Sequence, residues 1–238
     1  KPCLLGLRAR RSSQPQRPWH GGGFDGCCCH LDFFTDPSQL DEVAYLKARS
    51  KLWYRGGRKI DAQAAEFLPL LQSEAARVRS DTADIRTMEA DWIALAQVVL
   101  FDQIARNAAR GTPLAFEQDV LACELVELLI EDGFTSRCRA AELIFVAQPL
   151  VHAEVPGDGT RAELGIMLLR DSIRRFPEPV GKRLLQSIGS HDQHLAVLRR
   201  FGRYPHRNAI LGRESTLDEV KWLNSGECPG WARSQTKM

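Results

Sequence analysis

Apolar residues recur at spacings of three and four along most of this chain, and no stretch alternates as a strand would. The clearest helical segment is 90–109. Trp92, Leu95, Ala96, Val99 and Gln103 fall on one face, and Ile93, Val98, Phe101 and Ile104 widen it, the pattern of a helix buried on most sides. Upstream, Thr35 or Asp36 before Pro37 caps a helix carrying Leu40, Val43, Ala44 and Leu46. Residues 60–78 read as an amphipathic helix interrupted or kinked at Pro69. Downstream, Gly111 ends the long helix and Thr112-Pro113 opens the next, which buries Leu114, Leu121, Leu125, Leu128 and Leu129 before stopping at Gly133. Ser136 opens a further helix through Ala140, Leu143, Ile144 and Val146, with Pro149 expected to kink or end it. The loop 155–159 leads to helices at 160–176 and 180–201, and Gly202 is placed just past the second as its stop. Thr216 and Glu219 form a capping box before Val220, Trp222 and Leu223. The pattern predicts one all-α domain of antiparallel helices over 31–224, then a flexible tail at 225–238.

Composition narrows this picture. Hydrophobic content of 44% and charged content of 26% over 238 residues describe an ordinary soluble globular chain. The net charge of +2 is uneven, because residues 1–30 hold five basic side chains against Asp25 alone. That leaves 27 basic and 29 acidic side chains in the rest, a balance that argues against nucleic-acid binding. No apolar run approaches the roughly 20 residues that span a bilayer, so no membrane role is expected. Residues 1–30 are rich in Arg, Ser, Pro and Gly and poor in acids. They read as a disordered leader or as a transit peptide, which makes the expected compartment cytoplasmic or organellar. Seven cysteines without regular spacing fit a reducing compartment. Cys27, Cys28 and Cys29 with His30 have no second ligand pair, so no metal or other cofactor is expected there.

Candidate chemistry concentrates at 201–216, FGRYPHRNAILGREST. Arg203, His206, Arg207 and Asn208 fall within six residues, and Arg213 precedes a helix start. A rigid Tyr204-Pro205 turn after Gly202 would fix their directions. Guanidinium forks suit carboxylate or phosphate oxygens, so the group reads either as a pocket for a small anionic ligand or as a lock that caps and pairs with neighbouring helices. Asp102, Gln103, Arg106 and Asn107 interrupt the apolar helix as two i, i+4 pairs. They form either a structural network or a site in which Arg106 faces a ligand. His152 and Glu154 follow a proline-marked helix end, and His194 lies two turns before Phe201. His194 approaches His206 if the chain reverses at Gly202. With His152 or Glu154 the pair would make a zinc set, but without an established ligand spacing none is expected.

The stretch 102–111, DQIARNAARG, together with FGRYPHRNAILGREST, resembles the uncharacterised family known as domain of unknown function 924. LDFFTDPS at 31–38 looks like its opening, and Trp53, Tyr54, Asp61 and Phe67 stand in an order similar to that of its members. His194 also matches a family histidine. The family's stretch resembling His-Ser-Glu reads His152-Ala153-Glu154 here, which weakens any serine nucleophile. The resemblance implies a tetratricopeptide-like helical fold or superhelix, although no 34-residue repeat is visible. It therefore implies an interaction or scaffold protein with a protein partner, the alternative being a small-molecule-binding protein or enzyme acting on an anionic ligand.

Overall fold

In the computed structural model, which describes residues 44, 46, 57–80 and 91–236, the chain is helical throughout its regular structure, with no strand among the described residues. The leader, the cysteine triplet and the segment carrying Trp53 and Tyr54 lie outside them.

Two helices, α1 (Arg58–Ala65) and α2 (Leu68–Ser80), stand where the sequence predicts a helix over 60–78 interrupted or kinked at Pro69. The break falls at Glu66–Phe67, and Pro69 sits in the first turn of α2, where its missing N–H costs no helical hydrogen bond. Then α3 (Asp91–Val99), a π-helical turn (Leu100–Ile104) and α4 (Ala105–Ala108) run as one continuous rod. Residues 97–105 of this rod are all buried, whereas Trp92 and Ala96 from the expected stripe are exposed. The widened turn rotates the faces, so the apolar seam ahead of it does not project straight onto the residues behind.

Thr112-Pro113 opens only a short 3₁₀ turn, and the next helix, α5 (Asp119–Glu131), begins four residues after it. Gly133 adopts φ 71° and stops that helix. Helix α6 (Ala140–His152) is the centre of the fold, with positions 140–151 all buried, and it packs against α3, α5 and the two helices that follow. Pro149 does not end it early. It lies in the last turn, and the Cys123 thiol donates to its carbonyl at 3.2 Å. Burial on every side holds the last turn against the loss of a single N–H.

The antiparallel pair α7 (Thr160–Ser172) and α8 (Glu178–Phe201) covers the other side of α6, and Gly165 of α7 comes close to the Ala147 carbonyl. Gly202 takes φ 69° as the left-handed stop of α8. A Cβ at Gly157 would collide with the Gly202 carbonyl oxygen, so a glycine there lets the 153–159 loop lie against the reversal after α8. A 3₁₀ turn (Pro205–Arg207) leads to α9 (Leu217–Leu223), which has the expected capping box. Past residue 224, where the sequence predicts a tail, a short helix α10 (Gly230–Thr236) buries Ala232 and packs on the 205–207 turn. Among the described residues no helix is long and apolar enough to cross a membrane.

Candidate functional site

The C-terminus of α6, the π-turn and the reversal after α8 converge on one polar centre. The π-turn closes with the Ala105 N–H donating to the Leu100 carbonyl, five residues back, and this extra residue turns Asp102 and Gln103 into the interior. Asp102 is 1% exposed. Arg106 lies 3.0 Å from its carboxylate and also donates to its carbonyl at 2.7 Å, and the Gln103 amide donates to its second oxygen. From the end of α6, His152 Nδ1 lies 2.8 and 3.0 Å from the two carboxylate oxygens.

A closed circuit continues from Arg106. Its other nitrogen makes a 2.8 Å ion pair with Asp119 at the start of α5, although the angle falls short of a hydrogen bond. Arg207 donates to the second Asp119 oxygen at 3.0 Å and to the His152 carbonyl at 2.9 Å. The ring therefore runs His152, Asp102, Arg106, Asp119, Arg207 and back to the His152 backbone. Arg207 lies between two aromatic faces, 4.4 Å from the Phe116 centroid and 4.6 Å from that of Tyr204. Beyond the Asp119–Arg207 side is a cleft of about 380 Å³ lined by Phe116, Val120, Glu154, Val155 and Leu211 among others.

Charge follows this geometry. Burial by itself would push the Asp102 carboxyl up, but Arg106, His152 and the hydrogen bonds from His152 and Gln103 outweigh it. Together they hold the group well below the usual carboxylate range. Burial likewise disfavours the charged Arg106 guanidinium, and Asp102 and Asp119 more than restore it. An ionised Asp102 only accepts hydrogen bonds, so neutral His152 carries its proton on Nδ1 and presents the Nε2 lone pair.

The remaining predicted residues form a second, adjoining network. Glu154 accepts from the Tyr204 N–H at 2.7 Å and from Arg213 at 2.6 and 3.1 Å. Burial would raise its carboxyl, and Arg213 and Arg207 reverse that. Arg213 also donates to Asn208 Oδ1 at 3.1 Å. Arg203 grips Glu219 bidentately at 2.7 and 2.9 Å, and its hydrogen bonds are the main reason that carboxyl is held down to about 2. Glu219 accepts from Asn208 Nδ2 and from the Thr216 N–H as well, which fills the α9 N-terminus with the protein's own carboxylate. Asn107 points elsewhere, donating to the Gln103 carbonyl and accepting from Arg110, which pairs with Asp61 on α1. Arg106, Arg203, Arg207 and Arg213 thus face Asp102, Asp119, Glu154 and Glu219, and the cluster carries no surplus of guanidinium charge.

Histidines gather beside the ring. His194 donates from Nδ1 to the Ser190 carbonyl at 2.8 Å, and its ring centroid lies 5.7 Å from that of His152. His206 and His194 meet through Trp231, at 5.3 and 3.8 Å between centroids. Among the described residues no three His, Cys, Asp or Glu side chains group for a metal ion. Burial first and His152 second lower both His194 and His191, the latter to about 4. Unfolded histidine titrates near 6.5, so as the pH is lowered from about 6.5 to 4 the unfolded chain binds more protons and stability falls. His191 alone contributes on the order of 3 kcal/mol to that fall. Urea midpoints measured across the window should decline steadily, and His191→Leu should flatten the decline.

Asp119, Phe116 and Trp231 are partners that the sequence pattern did not single out, and Tyr204 and Glu219 read there only as a turn and a cap. Asp119 reads as an ordinary acidic first-turn residue.

Comparison with known proteins places the chain without adding chemistry. No curated protein matches it. The solved structure of the protein of unknown function ATU0120 from Agrobacterium tumefaciens is similar at 25% identity and a TM-score of 0.55, covering 78% of this chain and 100% of that one. Residues 31–227 match the family model described as bacterial protein of unknown function (DUF924), and the chain belongs to that family.

Proposed function

We propose that this protein binds a small molecule and exchanges a proton with it through His152 Nε2. The observation that carries this reading is the buried Asp102 carboxylate on the π-turn, which fixes the His152 ring and its tautomer from the Nδ1 side. A carboxylate placed so sets up the opposite nitrogen as a general base and stabilises the imidazolium that forms. Two features support it. A π-turn inside an α-helix is a recurrent device at functional sites, and a largely buried charge ring is costly wherever apolar packing would serve. The charge balance of the arginines favours a ligand recognised by hydrogen bonding and proton exchange over one captured by net positive charge.

The test is a thermal-shift screen of the full chain against phosphate monoesters, dicarboxylates, nucleotides and neutral amides. A ligand at 100 times its dissociation constant adds about 2.7 kcal/mol of apparent stability. The expected result is a responding class whose effect vanishes in folded His152→Gln. A response that survives His152→Gln, or none from any class, would overturn the reading and turn attention to a tetratricopeptide-like interaction role.

A further inference from the structure

Beyond the Asp119–Arg207 side of the ring, four segments enclose the cleft of about 380 Å³. They are the 113–117 turn, the first residues of α5, the loop after α6 and the reversal after α8. The volume falls at the lower end of the range for small-molecule sites, about 300–1,000 Å³. Its walls are apolar, made by Phe116, Val120, Val155 and Leu211. Val120 is 41% exposed although Leu121, Leu125 and Leu129 of the same helix are buried, and Val155 is 60% exposed. Apolar surface kept in water on two segments of one concave site is surface that a ligand's hydrocarbon would cover.

Charge at this cleft selects against an anion. Arg207 is the one cation among the lining residues, and both of its terminal nitrogens are committed, to Asp119 and to the His152 carbonyl. Its Nε, left without a hydrogen bond, is buried out of reach. Asp119 is matched by Arg106 and Arg207, and Glu154 by Arg213 and the Tyr204 N–H. Glu117 is different. It lines the same cleft, is exposed, and makes no ion pair among the described residues. The surplus charge on the lining is therefore a carboxylate at the rim, beside apolar walls.

We propose that this cleft is a second binding site, for a small amine whose hydrocarbon body lies against Val120, Val155 and Leu211 and whose ammonium faces Glu117. It is independent of the proton-exchange reading, since only the backbone carbonyl of His152 reaches Arg207. The experiment titrates the ¹⁵N-labelled full chain with hexylamine hydrochloride, 1-hexanol and sodium hexanoate near neutral pH and follows backbone amide shifts. Hexylammonium should move the amides of Phe116, Val120, Val155 and Leu211 and bind about threefold to fivefold more tightly than hexanol, with hexanoate the weakest. Glu117→Gln should bring the amine down to the level of the alcohol. Val155→Lys, at an exposed position, should reverse the order of amine and carboxylate. No shift at these amides with any probe would overturn the site, and so would hexanoate binding as tightly as the amine. A preference unaltered in Glu117→Gln would overturn the role of that carboxylate and with it the choice of an amine. His152→Gln should leave the hexylamine titration unchanged, so failure here and failure of the ligand screen are read separately.

Discussion

Asp119→Ala should destabilise the protein by about 3–5 kcal/mol, the largest single-residue effect expected outside the apolar core. Asp119 is the only carboxylate between Arg106 and Arg207 in the ring, at 2.8 and 3.0 Å. Removing it leaves two guanidiniums facing one another in a site where neither can turn fully to water. Surface pairs set the scale for comparison. Arg110 and Asp61 form an equally short bridge, but the Arg110 side chain is 47% exposed. Asp61→Ala should therefore cost no more than about 1 kcal/mol. Urea denaturation measures both, with the midpoint shifting and the slope unchanged if the native fold is retained. Equal small losses for the two variants would show that water screens the ring and that its burial is not energetically felt.

The asymmetry between those two aspartates also shows what the sequence could reveal. Helix existence was legible almost everywhere, because the 3.6-residue period is a local signal. The Gly202 stop and the Thr216–Glu219 capping box followed from residue chemistry that acts within four positions. What the period could not show was where a helix changes its pitch. The π-turn at 100–104 depends on tertiary packing, and only after it is formed do Asp102 and Gln103 both point inward. Where the Pro149 helix stops is set by a related effect, since the cost of a proline depends on how near the helix end it falls and on what surrounds it.

The site was half legible by the same logic. Arg203, Arg207, Asn208 and Arg213 announced themselves as a dense polar run, and Asp102 with Arg106 as a charged interruption of an apolar face. Their partners were distant in sequence and outwardly ordinary. Asp119 lies 88 residues from Arg207, and Glu154 lies 59 from Arg213, so the run of cations alone leaves a pocket and a lock both open. Folding supplies the acids and neutralises the run. It joins Arg203, Asn208 and Arg213 into a lock around Glu154 and Glu219, and it leaves His152 as the group whose far nitrogen is open to other work.

Asp102→Asn separates that work from the lock. The substitution keeps the shape but converts a group that only accepts hydrogen bonds into one whose NH₂ can donate to His152 Nδ1. The His152 proton should then move to Nε2, which becomes a donor, and the nitrogen proposed to take up a proton is blocked. Imidazole ¹⁵N shifts in histidine-labelled protein report this directly, with the Nδ1–H form in the wild type and the Nε2–H form in the variant. Stability should fall by about 3 kcal/mol, since Arg106 loses one of its two carboxylates while keeping Asp119. His152→Gln should fall by only about 1–2 kcal/mol, because Asp102 keeps Arg106 and Gln103. The two variants thus differ in stability while both lose the Nε2 lone pair. A ligand response abolished equally by both follows proton exchange, whereas a response that declines in proportion to stability follows the lock. A wild-type His152 found with its proton on Nε2 would remove the basis for proton uptake at that nitrogen before any ligand is added.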